Sequence, residues 1–204
     1  RSLIDHVGKG KEWNLDRKIG GLFILPGTVY GGQSTKESFM LSDLLENKRY
    51  LQRRSEETYA LVASASKIYN MDYKPMIKEH IESGRAVTFA YYRNKQGRDL
   101  PLDCFIIKRD VLIEIMNEFS SYSHLDLIDL LHQELPAQEI GSYQFHGYVM
   151  SIDSVEDFVE ANFDLMNISV YDELFKSDRP IFTKIQDEAP TLYGENSVVK
   201  NSMI

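Results

Sequence analysis

An α/β domain with a mostly parallel sheet is the fold class this sequence predicts, and three observations point to it. Apolar runs of strand length alternate with helical spacing over the first two-thirds of the chain. The run Tyr59-Ala60-Leu61-Val62-Ala63-Ser64 is apolar until it ends in small residues. A fully buried parallel strand has that pattern where its C-terminal end meets a ligand crevice. Helix punctuation follows, with Asp72 at an N-cap position and Gly84 as the stop.

Taken in order, residues 20–26 read as a short buried strand between two glycines and Pro26. Residues 38–51 carry Phe39, Leu41, Leu44, Leu45 and Leu51 at helical spacing. After the 59–64 strand come a helix over 72–83, a strand over 86–92 and a polar turn over 94–99. A strand over 102–107 precedes a helix over 110–119 whose apolar side is Val111, Leu112, Ile115 and Met116. Residues 124–135 read as helical, 140–149 as strand and 155–166 as a helix ending before Asn167. The rest changes character: 172–191 carries Pro180 and Pro190 with no clear period, and reads as a linker. In 194–204, Val198 and Met203 lie about one six-residue unit apart, as in the stacked rungs of a left-handed parallel β-helix. A generic strand–turn–strand fits the same residues. The expected organisation is an α/β domain over 1–170, a linker over 171–191 and a first β-helix rung over 192–204.

Composition narrows the function classes. The formal charge is -8, with both signs interspersed, which argues against nucleic-acid and anionic-membrane partners. Cys104 is the single cysteine and sits in an apolar run, so a reduced core thiol and a cytoplasmic setting are expected. No apolar stretch has the length of a membrane span. The chain opens at Arg1 and stops at Ile204 in mid-pattern, so a piece of a longer protein is expected.

Several motifs, arriving in one order, resemble those of the glucose-1-phosphate adenylyltransferases. Trp13-Asn14-Leu15-Asp16-Arg17, followed by Gly20-Gly21-Leu22-Phe23-Ile24-Leu25-Pro26, resembles W-x-L-D-R … G-G-x-F-I-L-P. Ala65-Ser66-Lys67-Ile68-Tyr69-Asn70-Met71-Asp72-Tyr73 resembles G-D-H-I-Y-x-M-D-Y, and Gly147-Tyr148-Val149-Met150-Ser151-Ile152-Asp153-Ser154 resembles G-Y-W-x-D-V-G-T. Glu160-Ala161-Asn162-Phe163-Asp164-Leu165-Met166 is similar to the family's E-A-N-M-D-L-L helix, and Arg179-Pro180-Ile181-Phe182-Thr183 to its R-P-I-x-T linker start. The resemblance implies a Rossmann-like nucleotidyltransferase domain followed by the β-helix, with the family's Gly-rich nucleotide loop lying before Arg1.

The departures from these motifs carry the functional expectation. In the family, one Asp in each of two motifs helps hold the Mg²⁺ that bridges the nucleotide phosphates; those positions are Ser66 and Ser151 here. A neutral hydroxyl is a poor replacement for a carboxylate on a hard dication. The family's Trp and Arg beside the second Asp correspond to Val149 and Met150. Its S-M-G-I-Y strand aligns with Pro101-Leu102-Asp103-Cys104-Phe105, so Pro101 and Phe105 replace two hydroxyl-bearing side chains of the sugar-phosphate pocket. The E-K-P motif has no counterpart between Tyr92 and Pro101, where the spacing is also short.

This combination resembles the GlgD-type regulatory subunits of the family. The resemblance implies a non-catalytic subunit with no metal of its own. Its partner is expected to be a catalytic glucose-1-phosphate adenylyltransferase subunit that supplies Mg²⁺, in a heterotetramer open to a small-molecule effector. An active nucleotidyltransferase with displaced metal ligands and a sugar-nucleotide sensor are the alternatives. Read by pattern alone, Ser66 and Ser151 are small residues at a strand end and a turn. Lys67 reads as a solvated lysine, with a phosphate contact as the sharper alternative. Asp126 and Asp129 near His124 read as a solvated helix face rather than a metal cluster.

Overall fold

The computed structural model describes residues 2–18, 20–25, 39–54, 56–122, 125–182 and 198. Helix α1 (Ser2–Val7) and a 3-10 turn (Lys11–Trp13) lead to a short pair, α2 (Leu41–Glu46) and α3 (Lys48–Arg54). Strands β1 (Tyr59–Ala63) and β2 (Lys67–Ile68) precede α4 (Tyr73–Ser83). The hairpin β3 (Val87–Arg93) and β4 (Asp99–Lys108) is followed by α5 (Arg109–Glu118) and α6 (Leu127–Glu134). Strands β5 (Ile140–Phe145) and β6 (Met150–Ser151), then α7 (Val155–Asp164) and α8 (Ile168–Leu174), complete the described chain.

The main sheet has the order β1-β4-β3-β5, and β2 pairs with β6 in a separate two-stranded ladder. β3 and β5 are parallel, whereas β4 is antiparallel to both β1 and β3. Three of the four strands therefore run in one direction, as the α/β class predicts, and β4 alone is reversed. The reversal corrects one expectation. The 59–64 run is not a fully buried strand paired in parallel; β1 lies at the sheet edge, antiparallel to β4, with Leu61 39 % exposed. The tight turn after Arg93 folds β4 back into the gap between β1 and β3. β4 thereby takes the central place, and Cys104, Phe105, Ile106 and Ile107 are the buried run.

Alternation along β4 feeds two cores. Phe105 and Ile107 join Leu41, Val87, Leu112, Met116, Leu127 and Leu131 under α2, α5 and α6. Leu102, Cys104 and Ile106 join Met71, Met76 and Ala90 on the face covered by α4. Helices thus cover both sheet faces. Burial raises the Cys104 pKa to about 11, so the side chain stays a thiol at neutral pH.

Three further expectations are revised. Residues 21–25 form no strand; Leu22 N–H donates to the Leu15 carbonyl at 2.9 Å and Ile24 is exposed. Gly21 packs against the Leu15 and Arg17 carbonyls, where a Cβ would collide. The helix expected over 38–51 is two helices broken at Asn47, whose backbone leaves helical geometry. The expected linker over 171–191 begins as helix: α8 carries Asn167 as its N-cap and buries Leu174. Asn70 Nδ2 then ties this segment to the domain, donating to the Leu174 and Arg179 carbonyls at 2.6 and 2.9 Å. The later linker and the β-helix rung, apart from Val198, lie outside the described residues.

α7 opens with a reciprocal cap, in which Ser154 and Asp157 each bond the other's end of the turn. Only Ala161 of this helix is buried, and Val155, Phe158 and Phe163 stand exposed on its surface.

His80 generates a pH prediction. It is buried, its Nδ1 is 2.8 Å from Thr88 Oγ1, and its Nε2 has no partner among the described residues. Burial, with Lys108 nearby, holds its pKa below the ordinary histidine value. The unfolded chain therefore binds the proton first as pH falls. This contribution to stability is present above about pH 6.5 and is lost as pH falls through the lower folded value. Urea denaturation should show a lower midpoint at about pH 5.5 than at about pH 7.5, and His80→Gln should weaken that dependence.

Candidate functional site

The C-terminal end of β1, the β2–β6 ladder and an irregular point in β4 meet at one place. Lys67 pairs with Ser151 in the ladder, and Ile152 N–H donates to the Ser66 carbonyl at 2.9 Å. Ser66, just before β2, and Ser151, in β6, are the positions the resemblance sets as metal-holding, and they thus lie close together beyond the end of β1, where a crevice was expected.

β4 contributes through a bulge. The β3–β4 register passes from Phe89↔Phe105 to Tyr91↔Pro101, so residues 102–104 stand opposite Ala90. Asp103, within the bulge, has φ 52°, a left-handed conformation that aspartate tolerates better than most side chains. Its carbonyl accepts from Ser64 N–H at 2.9 Å, which fixes the bulge against β1.

This backbone brings a cation and an anion together. Lys67 Nζ lies 2.9 Å from Asp103 Oδ2, with only 11 % and 17 % of the two side chains exposed. Lys67 Nζ also donates to Ser151 Oγ at 3.3 Å, and Ser151 Oγ–H donates to Asp153 Oδ2 at 2.8 Å. Ser66 and Ser64 share a hydroxyl–hydroxyl bond of 2.8 Å, and Ser66 N–H donates to Ser64 Oγ at 3.1 Å. Lys67 is therefore not the solvated lysine expected from its pattern. Asp103 is the residue that sequence reasoning missed. Its signal was available, because it stands at the glycine of the S-M-G-I-Y pattern.

The positions expected around the sugar phosphate do not converge. Phe105 is fully buried, its ring against Phe39 and Phe89 on the α5–α6 face. Val149 packs on the opposite face with the Met71 and Cys104 core, and Met150 pairs with Ile68 in the ladder. Pro101 lines a hollow with Phe89, Tyr91, Asp103, His132 and Ser142. The short segment between Tyr92 and Pro101 is a closed hairpin: Asn94 N–H donates to the Arg98 carbonyl at 2.9 Å, and Arg93 Nε lies 2.7 Å from Asp99. Asp72 caps α4 by accepting from Lys74 N–H, and Asp126 caps α6 by accepting from Ile128 and Asp129 N–H.

The site does not fit a divalent cation. Such an ion needs several hard oxygen ligands, mostly anionic. The Asp103 carboxylate is neutralised by the Lys67 ammonium, the Asp153 carboxylate is taken up by the Ser151 hydroxyl, and the Ser66 hydroxyl is bonded to Ser64. Among the described residues no group of three or more His, Cys, Asp or Glu could hold a metal, and no helix is long and apolar enough to cross a membrane.

No family model matches the chain. It is 32 % identical over 206 residues to the glycogen biosynthesis protein GlgD of Bacillus subtilis, covering 100 % of this chain and 57 % of that protein. It is 31 % identical to the GlgD of Geobacillus stearothermophilus, covering 100 % of this chain and 58 % of that one. The Bacillus subtilis glucose-1-phosphate adenylyltransferase is 25 % identical over 236 residues, covering 99 % and 61 %. The chain thus spans about three-fifths of the length of these relatives. The GlgD alignment is scarcely longer than the chain, whereas the adenylyltransferase alignment needs more gaps. A solved Bacillus anthracis structure assigned as a glucose-1-phosphate thymidylyltransferase superposes with TM-score 0.58 at 12 % identity, covering 79 % of this chain and 70 % of that one. That likeness concerns the fold.

The ion pair generates a stability prediction. Removing one partner of a buried pair leaves the other charge uncompensated, at a cost of about 3 kcal/mol. Asp103→Asn keeps the shape and tolerates the same backbone, so urea denaturation should show a loss of about that size. Adding Lys67→Met should restore most of it, and simple addition of the two single effects would show that the pair is not coupled.

Proposed function

Because the chain fits the GlgD-type family of nucleotidyltransferases, we propose that it serves as the regulatory, non-catalytic subunit of a glucose-1-phosphate adenylyltransferase in glycogen biosynthesis. The assembly's reaction is ATP plus glucose 1-phosphate giving ADP-glucose plus pyrophosphate, carried by a catalytic partner subunit that supplies the Mg²⁺. The single observation that supports the non-catalytic reading is the Lys67–Asp103 pair set among Ser64, Ser66 and Ser151. Nucleotidyl transfer depends on neutralising the charge that grows on the phosphates, which metal ions and fixed cations do from positions facing the substrate. Here the ammonium is already neutralised from within the protein. The chain's contribution to the assembly is then a coupling free energy passed across an interface, felt as altered affinity of the partner for substrates or effector.

One observation favours a second reading, an active transferase with displaced ligands: Asp153 bonds Ser151, and Asp103 shares Lys67 with that serine. Lys67 counts against it, because a dication would have to share Asp103 with an ammonium.

The test is pyrophosphate release from ATP and glucose 1-phosphate by the full-length protein alone, by a catalytic homologue alone, and by the two co-expressed. The expected result is silence alone and altered kinetics in the mixture. Chelator-sensitive turnover by this protein alone would overturn the reading. Ser66→Asp with Ser151→Asp should restore little turnover, since Lys67 still stands between the new carboxylates and any dication.

A further inference from the structure

We infer that the Lys67 side chain is a built-in replacement for a divalent cation, and that its removal opens a site for a hard dication beside Asp103. This rests on the non-catalytic reading above and goes beyond it, from what the site lacks to what holds its place.

The geometry carries the inference. The ammonium bonds the Asp103 carboxylate directly at 2.9 Å and reaches the Asp153 carboxylate through Ser151 Oγ, at 3.3 and then 2.8 Å. Both side chains of the ion pair are largely shielded from water, so their attraction is little screened. The Asp103 backbone is held in a left-handed conformation by the bulge and by the Ser64 N–H bond to its carbonyl, which fixes the carboxylate with respect to β1. Without the ammonium, the Asp103 carboxylate and the Ser151 hydroxyl are left facing the space it filled, with the Asp153 carboxylate one hydrogen bond behind Ser151. Hard oxygens of that kind are what Mn²⁺ and Mg²⁺ bind. With the ammonium present, an entering dication meets like charge.

The test is a Mn²⁺ titration followed by electron paramagnetic resonance, on the full-length protein and on Lys67→Ala, Lys67→Gln, Asp103→Asn, and Lys67→Ala combined with Asp103→Asn. Both Lys67 variants should bind Mn²⁺ at least about tenfold more tightly than wild type. Mn²⁺ should raise their melting temperature and leave that of wild type unchanged. The combined variant should lose the gain. Wild-type Mn²⁺ binding that disappears in Asp103→Asn overturns the inference, as does failure of both folded Lys67 variants to bind better than wild type. Should neither Lys67 variant fold, the comparison of wild type with Asp103→Asn decides by itself: Asp103-dependent binding in wild type overturns the inference and its absence upholds it. A wild-type protein that is silent in the pyrophosphate assay yet binds Mn²⁺ through Asp103 refutes this inference alone. Turnover without Asp103-bound metal refutes the non-catalytic reading alone.

Discussion

Central placement of the reversed strand β4 is the constraint on which the other elements depend. Phe105 to Ile107 are paired with β1 on one side and β3 on the other, and both faces are covered by helices. Each core draws its middle from this strand, Phe105 and Ile107 on one side and Cys104 and Ile106 on the other. A strand flanked on both edges cannot shift by one residue without sending Phe105 into the α4 core and Ile106 into the other. The register is thereby fixed, and with it the bulge at residues 102–104 that interrupts the ladder with β3.

The bulge converts this rigidity into electrostatics. It turns the Asp103 backbone through a left-handed step and delivers the carboxylate to Lys67, which β2 holds opposite Ser151. Taking two charges out of water is costly, and their attraction offsets that cost only when geometry and extra hydrogen bonds are good. Here the extra bonds come from a hydroxyl: Ser151 Oγ accepts from Lys67 Nζ and donates a hydrogen bond to Asp153 Oδ2. Neutral residues at 66 and 151 suit this balance. Carboxylates there would add to Asp103 and Asp153 and leave one ammonium facing an excess of negative charge.

Much of this was legible in the residues. Apolar runs located β3, β4 and β5, and caps marked α4 at Asp72 and Gly84. The motifs assigned Ser66 and Ser151 to one site, and in the structure Ser66 directly precedes Lys67, the residue paired with Ser151. Strand direction was not legible, because an apolar run has the same composition whichever way it runs, and the turn at Asn94 to Arg98 decides it. Residues 20–25 form no strand because apolar composition does not supply a neighbouring edge to pair with. Lys67 was misread because the environment of a long charged side chain depends on what lies across the fold, here a residue 36 positions away. The substitution of Asp103 for a glycine was the visible trace of that partner.

The left-handed Asp103 has a consequence for the chain's evolutionary prospects. An aspartate at φ 52° stays only while something compensates its backbone, and Lys67 does so. Changing Asp103 alone strands a shielded ammonium, and changing Lys67 alone strands a carboxylate. Each single substitution in the pair therefore passes through an unbalanced intermediate. Positions 67 and 103 are thus bound to change together or not at all, and folding by itself is enough to hold them as a unit.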